Sequence, residues 1–326
     1  MANTVDHAVP YLVTGAGGGV GGVSRLVAHL LIAAGAPLRA MVHRDDSRAE
    51  ALRSIGADVV VGDLTKPVDV AAAMTGVRRM FFSMSVSPDY LEATAVVCAA
   101  ARELDDGLRV LVNMSQMTVG QMTATSTAES RQQRLQWLAE HVINWSGIPT
   151  VHIRPTVFLD NPLFTALAAR SIAENDILAL PFGTGRTSPI AASDVAAVVA
   201  TILQNPDEHI GHVYELTGPT TLSIDELAEQ YSRGLGRRID GVSMPYADWV
   251  EQVLIPAGLS PHVQQHIATM ARLHRDDRYN RFTDDVVRIT GRPPQSVEQY
   301  ITDHTDLFSR APRPPDSANG PDRGRT

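Results

Sequence analysis

A cluster of glycines directly after a short apolar stretch is the part of the sequence best suited to chemistry. Tyr11–Thr14 is apolar and leads into Gly15, Gly18 and Gly21, and an apolar segment from Val20 to Ala34 follows. Glycines at such a turn permit a tight bend and a close approach of the backbone to phosphate, while a helix N-terminus attracts negative charge. The strand–glycine–helix order predicts a dinucleotide site. Its predicted contacts are Thr14, Gly15, Gly17, Gly18, Gly19, Val20 and Gly21.

The end of the second predicted strand bears on the choice between NAD and NADP. A dehydrogenase that selects NAD commonly has an acidic residue there, which accepts a hydrogen bond from the ribose. Here the strand ends at His43 and Arg44, with Arg48 one turn further on. These side chains suit a 2′-phosphate, although Asp45 and Asp46 follow at once. The sequence favours NADPH, with NADH as the alternative and a solvated helix start as the structural explanation of the arginines.

Further cofactor contacts are expected where other strands end, because ligands of such sheets bind at the carboxyl ends of the strands. Asp63 follows the third predicted strand and is placed to contact the adenine, with a polar turn that caps the next helix as the alternative. The remaining predicted contacts are Leu64, Ser83, Met84 and Pro155.

Several reaction classes are excluded or disfavoured by residues that the chain lacks. Lys66 is the only lysine, so there is no Gly-Lys-Ser/Thr phosphate loop. No tyrosine precedes it by four positions, where Gly62 stands, so no Tyr-x-x-x-Lys pair exists. His262 and His266 share a helix face and His274 follows, but no zinc-type spacing is present. A solvated face is the favoured interpretation of these histidines, and a face that lines a cleft is the alternative.

The elements that must position these residues alternate in the first half of the chain. Apolar strands alternate with helical segments from Tyr11 to Ile153, which predicts a Rossmann-type α/β fold: a doubly wound parallel sheet covered by helices on both faces. Residues 1–155 are predicted to form this core. Residues 156–310 are predicted to form a smaller, mostly helical substrate lobe, with some segments returning to the core. The polar segment 311–326 is predicted to be a disordered tail.

Composition restricts the partners. The formal charge is −8 and no basic stripe is evident, so no nucleic-acid partner is expected. The uncharged stretches are too short for a membrane span, and no secretory signal is evident. Cys98, the single cysteine, is expected to pack within a helix. We therefore expect a cytoplasmic protein; no oligomeric state is predicted.

The ordered set of motifs resembles the NmrA-like family of atypical short-chain dehydrogenases. The motifs span Tyr11 to Leu307 and are the segments 14–21, 38–44, 56–63, 77–82, 153–155, 193–196, 214–218 and 290–294. The family contains NAD(P)H-dependent quinone, azo-dye and triphenylmethane-dye reductases, and silent regulators that sense NADP. The resemblance implies the fold and the nucleotide; it leaves the reaction open.

The same resemblance places the usual catalytic positions on unusual residues. The partner serine falls at Ser115 or Gln116, and the tyrosine and lysine positions fall on Gln133 and Trp137. Glutamine donates hydrogen bonds but delivers no proton. One hypothesis is an oxidoreductase that transfers hydride to a small organic acceptor needing no strong acid, such as a quinone, azo compound, imine or cationic dye. The other is a silent NADP(H) sensor that acts through a protein partner.

The wall of an acceptor pocket is expected where the fourth, fifth and sixth strands end. It comprises Met84 and Ser85, residues 115–117 and residues 155–158, which are mainly apolar with interspersed hydroxyl and amide groups. Phe158 and Trp137 are the predicted pair that would sandwich a flat ring, with core packing as the alternative. No metal site is predicted.

Overall fold

The computed structural model describes residues 10–17 and 22–309. Seven strands form one parallel sheet, and two more form a small parallel sheet elsewhere. In chain order the strands are β1 (Tyr11–Thr14), β2 (Leu38–Val42), β3 (Asp58–Val61), β4 (Arg79–Phe82), β5 (Val110–Met114), β6 (Thr150–Pro155), β7 (Ile177–Leu180), β8 (Val213–Leu216) and β9 (Asp240–Ser243).

Helices connect these strands. In chain order they are α1 (Val23–Ala33), α2 (Ser47–Ser54), α3 (Pro67–Met74), α4 (Tyr90–Arg102), α5 (Arg131–Ser146), α6 (Ala169–Asn175), α7 (Ala192–Gln204), α8 (Ile224–Leu235), α9 (Tyr246–Trp249), α10 (Pro261–Arg275), α11 (Asp285–Thr290) and α12 (Val297–Asp303). Short 3₁₀ and π turns lie between some of them, including a 3₁₀ turn at Met117–Gln121.

The large sheet has the order β3-β2-β1-β4-β5-β6-β8, and alternate residues of its strands enter opposite hydrophobic clusters. In β1, Tyr11 and Val13 pack into one cluster and Leu12 packs into the other. The first cluster contains α1 and α7, whereas α3, α4 and α5 pack into the second. Because helices cover both faces, strands such as β1 and β4 are fully buried. The predicted Rossmann-type α/β fold is confirmed.

The predicted substrate lobe has a hydrophobic cluster of its own, built on β7 and helices such as α6, α8, α10 and α12. The pairing of β7 with β9 had no signal in our sequence analysis, because both strands are short. The chain also returns to the first core: Ile190 and most of α7 are buried there, β8 extends the large sheet beside β6, and Val286 of α11 joins the same cluster.

Several predicted features concern residues that the structure does not describe. The predicted tail, 311–326, lies outside the described residues, as do Gly18, Gly19, Val20 and Gly21. The described part of the first helix begins at Val23 rather than Val20. Cys98 is buried in α4, as predicted. Within the described ranges, no helix has the length and apolar character needed to cross a bilayer.

Candidate functional site

The crevice for a ligand opens where β1 and β4 end side by side, at the point where the strand order reverses. The Thr14 hydroxyl accepts a hydrogen bond from the Ser83 amide at 3.0 Å and donates one to the Ser83 carbonyl at 2.8 Å. Gly15 has a φ of +73°, and an added Cβ would lie 2.6 Å from the Ser83 oxygen. Thr14 is therefore turned into the sheet, where it positions the glycine turn, and Gly15 permits the strand ends to approach.

The N-terminus of α1 lies next to this turn, and Gly22 is its N-cap. Among the described residues, no side chain accepts a hydrogen bond from this end of the helix, and the first turn contains no acidic residue. Its N–H groups therefore remain available to an anion. Arg25 folds back toward this end, because a Cβ added to Gly22 would lie 2.9 Å from its guanidinium. The arrangement fits the pyrophosphate of a dinucleotide, and Arg25 was not predicted.

The end of β2 carries the residues predicted to contact a 2′-phosphate. Arg48 forms an ion pair with Asp46 and donates a hydrogen bond to the Gly17 carbonyl at 2.5 Å, so it braces the glycine turn. The Arg48 hydrogen bonds lower the pKa of Asp46 to about 2. Asp45 pairs with Arg53 at 2.8 Å. Both carboxylates are thus matched by arginines, while His43 and Arg44 are exposed at the same edge.

Asp63 organises the turn before α3. Its carboxylate accepts hydrogen bonds from the Thr65 amide at 2.9 Å and the Thr65 hydroxyl at 2.8 Å. These bonds lower the pKa of Asp63, with a smaller contribution from His43. The geometry accounts for Asp63 as a turn residue, and its predicted contact with adenine stays a prediction. Leu64 is half-buried beside it.

A cavity of about 280 Å³ runs from the glycine turn to helix α10. Several predicted residues meet in its wall, and all described lining residues are uncharged. The lining from the sheet side includes Gly15, Ser83, Met84, Ser85, Ser115, Gln116, Pro155, Thr156 and Phe158. Helix α10 supplies the facing wall through Val263, His266, Ile267 and Met270, and Tyr279 lies beyond it.

An amide network organises one side of the cavity. The Gln116 amide nitrogen donates to the side-chain oxygen of Gln136, and the Thr118 hydroxyl donates to the Gln116 oxygen at 3.3 Å. Thr118 in turn accepts a hydrogen bond from Gln133 at 2.8 Å. Gln116 and Gln136 line the cavity, and Gln136 had no signal in the sequence analysis.

The predicted catalytic positions Gln133 and Trp137 do not line the described cavity. Gln133 is fully buried and completes a capping box, in which its side-chain oxygen accepts from the Ser130 amide at 2.8 Å. Ser130 is the N-cap of α5. Trp137 lies edge-on to His141, with ring centroids 4.4 Å apart. The cavity face of α5 is shifted from the one we predicted, so the predicted pairing of Trp137 with Phe158 around a ring is wrong.

One buried hydroxyl in the cavity wall, that of Thr156, has no hydrogen-bond partner among the described residues. The Ser115 hydroxyl is equally buried, at 4% exposure, and lies beside the Glu140 carboxylate, whose pKa it helps to lower. Behind Ser115, Arg154 of β6 and Glu140 of α5 form a bidentate pair at 2.9 and 2.5 Å. Burial raises the pKa of Glu140, but Arg154 outweighs that effect and holds it below its usual value. Orphaned buried hydroxyls are rare in proteins and indicate a place for a ligand or water.

His266 and His274 of α10 are buried, so the favoured interpretation of a solvated face is wrong for them, and His266 fits the alternative of a face that lines a cleft. The His266 Nδ1 atom lies 2.9 Å from the Ser130 hydroxyl, and burial lowers the pKa of His266 to about 4. His274 is stacked between Phe182 and Tyr279, at centroid distances of 4.1 and 3.8 Å, and burial lowers its pKa to about 3. His262 bonds Gln132 outside the cavity.

Arg25, Gln136 and Tyr279 are the functional candidates that sequence reasoning missed, whereas a face that lines a cleft was the alternative interpretation of His266. The spacing of Val263, His266, Ile267 and Met270 places them on one helix face, and this spacing was a usable signal. Tyr279 stands in an irregular segment and carried no such signal. Among the described residues, no cluster of histidine, cysteine and carboxylate side chains could hold a metal ion.

Comparison with known proteins agrees with this geometry. A family model described as NAD(P)H-binding matches residues 15–206. An NAD(P)H azoreductase from Xenophilus azovorans is 29% identical over 296 residues, which is 90% of this chain and 98% of the relative.

Solved structures share the fold at lower identity. An NADPH-dependent quinone oxidoreductase from Escherichia coli, complexed with NADPH, has a TM-score of 0.77 and 19% identity, covering 90% of this chain and 99% of that one. The negative transcriptional regulator NmrA in complex with NADP has a TM-score of 0.74 and 18% identity, covering 90% of this chain and 94% of that one. At these identities the likeness establishes the fold, and the predicted resemblance to NmrA-like proteins is confirmed at that level.

Proposed function

The chain belongs to the NAD(P)H-binding family, and we propose that it is a reductase that passes hydride from NADPH to a neutral, planar organic acceptor. Quinones, uncharged azo compounds and imines are the acceptor classes in question. The azoreductase relative and the structurally similar quinone oxidoreductase support a reductase. The finer choice of acceptor rests on the cavity.

One observation carries the proposal: a cavity of about 280 Å³ adjoins the glycine turn, and none of its described lining residues is charged. A cationic dye, or an acceptor bearing a sulfonate or phosphate, would lose its hydration there without gaining an opposite charge. Met84, Met114 and Met270 instead provide polarisable sulfur atoms suited to a flat aromatic ring. A neutral acceptor therefore fits best.

The chain's own residues have two tasks in this reaction. Gly15, the free N-terminus of α1 and Arg25 would hold the pyrophosphate, because they offer close backbone approach, N–H donors and positive charge. Thr156 would donate a hydrogen bond to whatever occupies the inner end of the cavity. When bound, the reduced nicotinamide supplies the hydride.

The absence of a Tyr-x-x-x-Lys pair is consistent with such an acceptor. A quinone is electrophilic enough to accept hydride without a strong protein acid, and its oxygen can then take a proton from water. Gln116, held by Gln136 and Thr118, offers hydrogen bonding but no acid. Selection of NADPH over NADH would rest on His43 and Arg44, because Arg48 and Arg53 are already engaged by Asp46 and Asp45.

Blocking the acceptor end while sparing the cofactor end would test this function. Val263→Trp enlarges a side chain of the cavity wall, whereas Gln264→Trp changes its neighbour outside that wall. With a neutral naphthoquinone as acceptor, we expect steady NADPH oxidation by the wild type and by Gln264→Trp, and a loss of about tenfold or more in Val263→Trp. NADPH affinity, measured by calorimetry, should be equal in all three.

Measuring the turnover of several acceptors shows which results would contradict the proposed function. A cationic triphenylmethane dye and a sulfonated azo dye should be reduced far more slowly than the naphthoquinone. If no acceptor is reduced although NADPH binds tightly, the protein is instead an NADP(H) sensor, the alternative that the likeness to NmrA supports. Equal turnover of charged and neutral acceptors would contradict the argument from the cavity.

A further inference from the structure

Among the residues that α10 contributes to the cavity wall, His266 is the one with a polar side chain. The other residues that α10 contributes to the wall are Val263, Ile267 and Met270, which are apolar. His266 is 8% exposed and lies in the middle of this face. A buried imidazole in an apolar surface is costly unless its nitrogens have partners.

The Nδ1 atom of His266 has a hydrogen-bond partner, the Ser130 hydroxyl. The other hydrogen bond of that hydroxyl determines which of the two groups donates. The Ser130 hydroxyl oxygen accepts a hydrogen bond from the backbone N–H of Gln133 at 3.1 Å, and it lies 2.9 Å from the His266 Nδ1 atom. The hydroxyl hydrogen needs an acceptor, and Nδ1 is the one within reach. Nδ1 thus accepts, and the proton of the neutral ring resides on Nε2.

The Nε2–H group has no hydrogen-bond partner among the residues that the structure describes, whereas His266 lines the cavity. We propose that His266 is the hydrogen-bond donor that holds the reducible carbonyl oxygen of the acceptor. The inference rests on the proposed function and narrows its acceptor to a neutral compound with a carbonyl group, that is, a quinone. His266 then favours the binding of a quinone over the binding of a planar hydrocarbon, which has no oxygen to accept the hydrogen bond.

The chemistry of this contact balances without an acid from the protein. The quinone gains two electrons and one hydrogen as hydride, and NADPH is oxidised to NADP⁺. The resulting oxyanion takes its proton from water. His266 keeps its own Nε2 proton and stabilises the developing negative charge by its hydrogen bond, as an oxyanion-hole donor does. Its low pKa keeps the ring neutral at physiological pH, so it brings no positive charge into the cavity.

Binding without turnover tests the proposal directly. The protein is saturated with NADP⁺, which carries no hydride, and titrated calorimetrically with 1,4-naphthoquinone and with naphthalene, which lacks both carbonyl groups. We expect His266→Leu to weaken naphthoquinone binding by about three- to tenfold, the range for loss of one neutral hydrogen bond, and to leave naphthalene binding unchanged. His266→Gln, which retains a donor, should restore much of the affinity for naphthoquinone.

His262→Leu is the matched control, because His262 lies one turn earlier on α10 and bonds Gln132 rather than facing the cavity. It should bind both compounds as the wild type does. Equal weakening of both compounds in His266→Leu would assign the residue to packing and overturn the proposal, as would unchanged binding of naphthoquinone. If His266→Leu does not fold, His266→Phe, which keeps a ring in the same place but has no donor, takes its role: naphthoquinone affinity equal to that of His262→Leu would overturn the proposal.

The reductase function can be judged separately in the same set of proteins. Undiminished turnover of naphthoquinone and undiminished binding in His266→Leu would refute the role of His266 and leave the reductase in place. Failure of every protein, wild type included, to oxidise NADPH with any acceptor would remove the reductase function itself.

Discussion

Acidification should destabilise this protein well above the pH at which carboxylates titrate, because several histidines, His266 and His274 among them, are buried in neutral form. Burial lowers the pKa of His266 to about 4 and that of His274 to about 3. In the unfolded chain a histidine titrates near pH 6.5. Between those values the unfolded state binds more protons than the folded state, so the free energy of unfolding falls as the pH falls.

The magnitude follows from the same pKa values. Each histidine contributes a slope that approaches about 1.4 kcal/mol per pH unit below pH 6.5. Between pH 7 and pH 5.5 the loss is about 1.3 kcal/mol for each, and about 2.5 kcal/mol for both. A loss of that size is a large fraction of a typical domain's stability.

Urea unfolding at pH 8, 7 and 5.5, followed by tryptophan fluorescence, would measure this loss; Trp249 is buried in the lobe that contains His274. His274→Phe keeps an aromatic ring between Phe182 and Tyr279 but removes the titrating group. This variant should lack about half of the loss in the free energy of unfolding between pH 7 and pH 5.5. Its difference in that free energy between pH 8 and pH 7 should be the same as in the wild type. A free energy of unfolding that is equal at pH 7 and 5.5 would refute the assignment of both rings as neutral.

Three further expectations concern the site and its support. Gly15→Ala should destabilise the fold by about 2 kcal/mol or more and weaken NADPH binding, because its Cβ would meet a carbonyl at 2.6 Å; Gly35→Ala, with a similar φ of +75° and nothing within 4 Å, should cost only about 1 kcal/mol. Glu140→Gln should cost about 2–3 kcal/mol in urea unfolding, since Arg154 would lose its charge partner in a largely buried place. Arg44→Ala should weaken NADPH binding by about tenfold and leave NADH binding unchanged; an equal effect on both nucleotides would exclude contact with a 2′-phosphate.

The large sheet could be predicted from the sequence because its strands are continuously apolar and its helices are amphipathic, so local patterns already contain the architecture. Tyr11–Thr14, for example, is a strand with the predicted bounds. The residues on the cofactor side could also be predicted, because the carboxyl ends of parallel strands lie at one edge of the sheet. Ser83, Met84, Ser115, Gln116 and Pro155 accordingly meet in one cavity wall.

The acceptor wall was harder to predict because it depends on contacts between segments far apart in the chain. The rotation of α5 is set by the capping box at Ser130, which buries Gln133 and turns Gln136 toward the cavity. The contact between Ser130 and His266 joins residues 136 positions apart. A pattern of spacing along one helix could not reveal that partner, so His266 was taken for a solvated residue.

The return of the chain to the large sheet has a consequence for how the molecule unfolds. Segments that complete the first core, Ile190–Gln204, β8 and α11, alternate along the chain with segments of the substrate lobe. Neither lobe is a continuous stretch of chain, so a single proteolytic cut could not release either one as a folded fragment. Heat or denaturant should therefore melt both lobes in a single cooperative transition, and the cleft between them would open by bending of several parallel connections rather than by rotation about one linker.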